Sequence, residues 1–250
     1  GIDPLLYRLL LWQAAKSPLG DVLTVGRLNL DIPQNVLDKD LPELNVCGPF
    51  AESLLTALGA NSVTSMDASA YESPSFIADL NKPIQHGSRY HAIIDGGSLE
   101  HVFDIAQAFR NLTNLCDIGG RIFHALPVNN LNGHGFWQFC SDLLYSIYSD
   151  RNGFSDTKVF YASTLQKQMW YLAPPPIHGS RVQIVSIEPI ILLCVTTKKF
   201  DAEFINPIQP FYLGAWENKG VNSASSPTCL KTIIRATRQV DRKLLNILRN

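Results

Sequence analysis

Three ionisable side chains stand close together in the segment 95–101. Asp95 and Glu100 are carboxylates, and His101 follows Glu100 directly, with two glycines after Asp95 that allow a tight turn. Such a cluster can orient a reactant or take up its proton, so Asp95 and His101 are candidate catalytic bases and Glu100 is a candidate substrate contact. The structural alternative is that Asp95 or the following serine caps a helix, while Glu100 and His101 satisfy the amides at its end.

A second polar segment, residues 127–136, holds three asparagines and a histidine beside aromatic residues. Asn129 and Asn130 supply hydrogen-bond donors and acceptors, and His134 is both a candidate contact and a candidate base. Phe136 offers an apolar wall, so the segment predicts a small-molecule pocket with a polar floor. The alternative is a turn-rich loop whose asparagine side chains bond their own backbone.

Three further residues follow short apolar runs that predict parallel strands. Ligands of open α/β sheets bind at the carboxyl ends of such strands, where Gly26, Asp67 and Asp79 stand. A glycine lets a nucleotide approach the backbone, a carboxylate such as Asp67 accepts two ribose hydroxyls, and Asp79 could meet an adenine edge. Each has a structural alternative: turn geometry at Gly26, an Asx turn or helix cap at Asp67, and a turn before Pro83 at Asp79.

Alternating helices and apolar runs over residues 20–150 predict βαβ units and a mostly parallel sheet with helices on both faces. Two late β-rich runs have no helix between them and predict an antiparallel pair at the sheet edge. The predicted helices are Pro4–Ala15, Phe50–Leu58, Asp104–Cys116 and Phe136–Tyr148. The predicted strands are Asp21–Leu28, Asn61–Met66, Phe76–Asp79, Tyr90–Ile94, Arg121–Leu126, Lys158–Ala162 and Ile190–Thr197, with Val182–Ile187 as a further candidate.

The composition excludes several classes of partner. Formal net charge is -1, so no overall positive field attracts nucleic acid, and no apolar run is long enough to span a membrane. Five cysteines occur without CxxC or Cys/His ligand spacing, which predicts neither disulfides nor a metal site and suits a cytoplasmic protein. Cys116, Cys140 and Cys194 lie in apolar runs and are predicted to be buried.

The chain divides into three predicted parts: an amphipathic helix in residues 1–18, the α/β domain in 19–200, and an irregular segment with a basic helix in 201–250. That last helix is predicted at about Leu230–Leu248. Its basic face is either a solvated surface or a contact for a partner, a homo-oligomer included.

The segments IIDGGSLEHVFD and GGRIFHALPVNNLNGHGFWQF carry a family resemblance. Together with the order of β-runs, Asp67 and Asp79, they resemble class I S-adenosylmethionine-dependent methyltransferases, in a largely uncharacterised bacterial branch. The resemblance covers residues 20–198. It implies a Rossmann-like sheet of seven strands, the last antiparallel, and S-adenosylmethionine as cofactor. It also implies that Gly26 lies beside the cofactor, Asp67 holds the ribose, Asp79 approaches the adenine and Asp95 lies near the methyl group.

The chain departs from that family at four positions. Thr24 stands where an acidic residue is usual, Leu28 and Leu30 replace two glycines, and His91 replaces an aspartate. The expected function is methyl transfer to an oxygen or nitrogen of a small-molecule or sugar-like acceptor. The alternative that the departures support is a binding or scaffold domain without catalysis. A nicotinamide-dependent oxidoreductase is the weakest reading, because neither GxGxxG nor Tyr-x-x-x-Lys occurs.

Overall fold

The computed structural model describes residues 1–42, 44, 46–182 and 184–217. Its strands are β1 (Gly20–Val25), β2 (Ala60–Asp67), β3 (Phe76–Ile77), β4 (Tyr90–Asp95), β5 (Cys116–Asn129), β6 (Phe154–Ser163), β7 (Trp170–Leu172) and β8 (Ile190–Lys198). They form one sheet in the order β3-β2-β1-β4-β5-β8-β6-β7.

The first five strands of that order are parallel, whereas β8 runs antiparallel between β5 and β6. The edge strand β7 is antiparallel to β6. This arrangement confirms the predicted fold class, a mostly parallel Rossmann-like sheet with an antiparallel edge strand. The predicted pairing of the two late runs is also found, because they become β6 and β8. The sheet has eight strands in the described residues and not the seven implied by the resemblance, and β7, which was not predicted, forms its antiparallel edge.

The helices are α1 (Pro4–Ala14), α2 (Gln34–Asp40), α3 (Glu52–Ala57), α4 (Ile105–Leu115), α5 (Ser141–Ile147) and α6 (Pro210–Glu217). Successive strand residues point to opposite faces, so β1 buries Val22 on one side and Leu23 on the other. The first face packs on α1, α2 and α3, and the second packs on α4 and α5. Burial on both faces explains why these strands are nearly continuous apolar runs.

Several predicted elements differ from the structure. α2 lies in a predicted loop, where Pro33 precedes it and fixes a φ of -58° at its amino end. β5 continues through Pro127, which was expected to end it. Pro127 lies beyond His124, the last residue of β5 paired with β4, and a register shift against β8 follows it before Asn129. No strand occurs at the described residues of Val182–Ile187.

The helix predicted from Phe136 begins only at Ser141, after an extended Cys140. The preceding residues are held instead against Glu100, whose carbonyl oxygen accepts from the backbone N–H of Phe136 at 2.7 Å. Cys140 is consequently exposed, contrary to prediction, whereas Cys116 and Cys194 are buried as expected.

The predicted basic helix at Leu230–Leu248 lies outside the described residues. Within the described ranges, no helix has the length and apolar character needed to cross a lipid bilayer.

Candidate functional site

The parallel strands bring most of the predicted site residues to one edge of the sheet. Val25 at the end of β1 pairs with Met66 of β2 and with Asp95 of β4, and Asp95 in turn pairs with His124 of β5. Gly26, Asp67 and the segments that follow β4 and β5 therefore meet at the carboxyl edge, as the alternation of elements predicted.

Gly26 and Asp67 lie side by side at this edge. Gly26 has a φ of +79°, which favours glycine, and its N–H donates to the Met66 carbonyl at 2.6 Å. Asp67 Oδ1 accepts from the Ser69 N–H at 3.1 Å, which is the Asx turn considered as the structural alternative. Its Oδ2 accepts no hydrogen bond within the described residues, and a Cβ atom placed on Gly26 would lie 3.8 Å from it. A free carboxylate oxygen over a side-chain-free turn fits a ribose hydroxyl pair.

Leu28 lies on the other side of Gly26 and is buried. Its Cδ2 would be 4.0 Å from a Cβ atom on Gly26 and 3.3 Å from one on Gly96. Leu28, where the family resemblance implies glycine, thus fills the space between the ends of β1 and β4 together with Gly1, whose amino group donates to the Gly96 carbonyl at 2.9 Å. Thr24, at the usual acidic position, is also buried. The edge fits the adenosine half of the implied cofactor better than the methionine half.

Asp79 follows β3 in an Asx turn. Its Oδ1 accepts from the N–H and the side-chain amide of Asn81, and its Oδ2 pairs with Lys82 at 3.2 Å. The Asn81 hydrogen bonds, with Lys82 adding to them, lower the pKa of this exposed carboxylate below its usual value. Both oxygens are therefore engaged by neighbours in sequence.

Asp95 is fully buried and bonded on both oxygens. Oδ1 accepts from the Ser98 N–H at 2.8 Å, and Oδ2 is 2.8 Å from His124 Nδ1. His124 Nε2 is 2.6 Å from the hydroxyl of Tyr148, and burial raises the pKa of Tyr148 well above its usual value. The buried hydrogen-bond network of Asp95, His124 and Tyr148 anchors the turn after β4 through Ser98. The hydroxyl of Ser98 also donates to the Val25 carbonyl at 2.8 Å, which ties the turn to β1.

Glu100 is buried, with 1% of its surface exposed, and neither carboxylate oxygen has a hydrogen-bond partner. Two glycines enclose it: a Cβ atom on Gly97 would lie 3.1 Å from Oε1, and one on Gly135 would lie 2.7 Å from Cγ. Burial, with a smaller contribution from Asp95, raises the pKa of Glu100 to about 7. A carboxylate in these surroundings is poised to exchange a proton or to bind a cation.

His101 and His134 complete this cluster from two different loops. His134 Nε2 is 3.4 Å from Glu100 Oε1, and the rings of His101 and His134 are 5.7 Å apart between centroids. Partial burial, followed by the proximity of His134, lowers the pKa of His101. The two histidines, predicted separately as bases, therefore lie together around one carboxylate.

Asn129 and Asn130 bond a neighbouring segment. Asn129 Oδ1 accepts from the Ile190 N–H at 3.1 Å, and Asn130 Nδ2 donates to the carbonyls of Ser186 and Glu188 at 3.1 and 3.2 Å. The structure places them at the end of β5, where they fix the strand to the start of β8. This geometry agrees with the loop alternative more closely than with a free contact.

Aromatic side chains border the Glu100 cluster. Phe103 and Phe136 are 74% and 71% exposed and meet edge to face, with 6.2 Å between centroids. Trp137 Nε1 donates to the Val102 carbonyl at 2.8 Å. These two exposed phenylalanines beside the Glu100 cluster form an apolar wall of the kind predicted from the sequence.

The sequence analysis assigned no role to His124 or Gly135, which shape this edge, and considered Ser98 only as a helix cap. Ser98 and His124 belong to runs that read as a turn and a strand, and only pairing between β4 and β5 brings His124 to Asp95. Gly135 had a signal in the spacing Gly133-His134-Gly135, because two glycines flanking a histidine indicate close backbone packing.

A scan against protein-family models finds no match, and neither does a search of curated proteins. Solved structures of methyltransferases are similar in fold. The N-methyltransferase NodS from Bradyrhizobium japonicum is 12% identical, with a TM-score of 0.44 over 78% of this chain and 94% of its own. A putative methyltransferase from Bacillus halodurans is 12% identical, with a TM-score of 0.45 over 80% and 100%. TehB from Haemophilus influenzae is 17% identical, with a TM-score of 0.44 over 75% and 61%.

Proposed function

We propose that this protein is an S-adenosylmethionine-dependent methyltransferase that acts on an oxygen or nitrogen of a small-molecule or sugar-like acceptor. The observation that carries the proposal is the free Asp67 Oδ2 beside the side-chain-free turn at Gly26. The sheet order supports it, because the ends of β1, β2 and β4 adjoin where nucleotide cofactors bind in such sheets.

When bound, the cofactor supplies an electrophilic sulfonium methyl group. Asp67 would accept the ribose hydroxyls, Gly26 would allow close approach of the backbone, and the turn at Asp79 would border the adenine. Asp95 is a positioning residue in this proposal, since both its oxygens hold the turn after β4. The main contribution of the protein is alignment of donor and acceptor.

The acceptor would lie against Glu100, His101 and His134. Any acceptor hydroxyl or ammonium group must lose a proton, and Glu100 and His134 are titratable groups that the described part of the chain leaves without a hydrogen-bonded partner or only loosely paired, with His101 beside them. Asn129 and Asn130 would act indirectly, by holding the end of β5 in place.

A second candidate function has a specific observation in its favour. A Cβ atom on Gly96 would lie 2.6 Å from the Gly1 carbonyl oxygen and 3.3 Å from Leu28 Cδ2, so the edge could hold an adenosine group without room for a methionine group. A domain of that kind would bind a nucleoside and transfer nothing.

Calorimetric titration with S-adenosylmethionine, S-adenosylhomocysteine and adenosine separates the two candidates. The methyltransferase proposal expects both sulfur compounds to bind and Asp67→Ala to weaken both, because a ribose contact is lost. Asp150→Ala is the matched control, since Asp150 is an exposed carboxylate just before β6, at the opposite edge of the sheet.

The outcomes exclude each other. Binding of adenosine alone would favour the nucleoside-binding candidate and contradict methyl transfer. No heat with any of the three compounds, together with an unchanged melting temperature at millimolar ligand, would contradict both, because a ligand that binds the folded state raises its stability.

A further inference from the structure

One donor atom each from Glu100, His101 and His134 lies within 4.8 Å of the other two. Three ligands bound to one ion at 2.0–2.2 Å are at most about 4.4 Å apart, so small side-chain rotations would complete such a site. His101 and His134 are exposed, and their rings have room to make this adjustment.

The buried carboxylate of Glu100 is an independent observation that points to a cation. Buried polar atoms in folded proteins nearly always have a partner, and an unpaired carboxylate is among the most costly groups to bury. Both oxygens of Glu100 lack one in the described structure, although the side chain is almost fully enclosed. The contact with His134 at 3.4 Å is longer than the 2.7–2.9 Å of charge-assisted hydrogen bonds, so it does not satisfy the carboxylate.

The backbone around Glu100 is built to hold these side chains together. The Glu100 carbonyl accepts from the N–H groups of Phe136 and Trp137 at 2.7 and 3.3 Å, which fixes the loop that carries His134. Gly135 makes this approach possible, since a Cβ atom there would lie 2.8 Å from the same carbonyl oxygen. His101 is fixed by a turn in which its N–H donates to the Ser98 carbonyl at 3.1 Å.

We propose that Glu100, His101 and His134 form a binding site for one divalent first-row transition-metal ion of the Zn²⁺, Co²⁺ or Mn²⁺ class. Two imidazole nitrogens favour these ions over Mg²⁺ and Ca²⁺, which prefer oxygen ligands. Three protein ligands leave coordination positions open, as in catalytic metal sites and unlike closed structural ones. The sequence argument against a metal site rests on the absence of CxxC and Cys/His ligand spacing. It does not apply to a site made of one glutamate and two histidines.

The catalytic meaning of this site rests on the proposed methyltransferase function. An open coordination position on the ion, beside the exposed Phe103 and Phe136, would fit an acceptor with an apolar body and a hydroxyl group. A hydroxyl bound to such an ion loses its proton more readily, which would favour an oxygen acceptor over a nitrogen acceptor. Metal binding itself requires neither the cofactor nor the acceptor.

The test is titration of chelator-treated protein, free of any histidine tag, with Zn²⁺ by calorimetry and with Co²⁺ by visible absorption. We expect one ion per chain. Glu100→Gln, His101→Ala and His134→Ala should each weaken binding on the order of 100-fold or more, because loss of even an outer-shell partner typically costs 10–100-fold. His91→Ala is the matched control: an exposed histidine near the start of β4, at the other edge of the sheet, paired with Asp21.

Glu100→Gln separates a ligand from a merely structural residue. It keeps the side-chain shape and removes a buried charge, so metal-free protein should melt at the same or a higher temperature while metal binding is lost. No binding of either ion at millimolar concentration, or binding that all three substitutions leave unchanged, would overturn the proposal. Because no cofactor is present in these titrations, their outcome is independent of the test with S-adenosylhomocysteine.

Discussion

Replacing Gly135 with alanine tests whether the loop carrying His134 depends on contact with Glu100. The added Cβ atom would lie 2.7 Å from Cγ, 2.8 Å from the carbonyl oxygen and 2.9 Å from Cβ of Glu100. Two of these three atoms belong to the backbone or lie next to it, and real Cβ contacts are not this short. The loop or the turn after β4 must therefore move.

The expected cost follows from two effects. Inserting one carbon into a packed region typically costs 1–3 kcal/mol, and losing the short hydrogen bond from Phe136 to Glu100 adds about 0.5–1.5 kcal/mol. We expect Gly135→Ala to lower the free energy of unfolding by roughly 1.5–4.5 kcal/mol, or the melting temperature by about 3–18 °C at 2–4 °C per kcal/mol.

Thermal unfolding followed by circular dichroism measures this change. Gly87→Ala is the matched control, because a Cβ atom there would meet nothing within 4 Å, and we expect a change within about 0.5 kcal/mol. If Gly135→Ala melts within about 1 °C of the parent protein, the loop accommodates the methyl group and the close packing does not fix His134.

Two further changes test other contacts of the fold. Tyr148→Phe should cost about 1–3 kcal/mol in urea unfolding, because buried His124 Nε2 loses its partner at 2.6 Å, whereas Tyr71→Phe on the surface should have no effect; equal stability of both variants would contradict this. Asp201 pairs with Arg89 and Lys198 at 2.7 Å each, and its hydrogen bonds to Lys198 and Arg89 lower its pKa. A lowered carboxylate pKa stabilises the fold above the unfolded-state pKa of about 3.9, and this stabilisation is lost as pH falls through the folded-state value. Asp201→Asn should therefore destabilise at neutral pH, by about 0.2–1 kcal/mol for the half-exposed pair with Arg89 and further because the buried Lys198 loses its carboxylate partner, and its difference from the parent protein should shrink at about pH 3; a difference that stays constant would refute the assignment.

The placement of Gly26, Asp67 and Asp95 at one edge was predictable from the sequence. Each follows an apolar run, and parallel strands joined by helices must end at the same edge. The alternation of helices and strands thus predicts at which edge of the sheet a residue lies, without any knowledge of side-chain contacts. The same reasoning identified the segments that hold Glu100 and His134, although not that they touch.

The burial and hydrogen-bond partners of those side chains could not be predicted from the alternation of elements. Asp95 was expected at the methyl group, but its burial against His124 depends on a strand pairing between residues 29 positions apart. The helix expected from Phe136 has a helical apolar pattern, yet the hydrogen bond to Glu100 overrides local propensity there. Tertiary contacts decide both cases.

The two halves of the carboxyl edge differ in how completely their polar side chains are hydrogen-bonded. On the side of Gly26, Leu28 is buried against the turn, and only Asp67 Oδ2, on a half-buried side chain, lacks a partner among the described residues. On the side of Glu100, two glycines enclose a carboxylate that no described side chain or backbone N–H satisfies. Sequences that specify one fold violate local rules mainly at functional sites, because selection there acts on binding and not on stability. We therefore expect the chemistry of this protein at Glu100, His101 and His134, beside the nucleoside proposed to bind at Gly26 and Asp67.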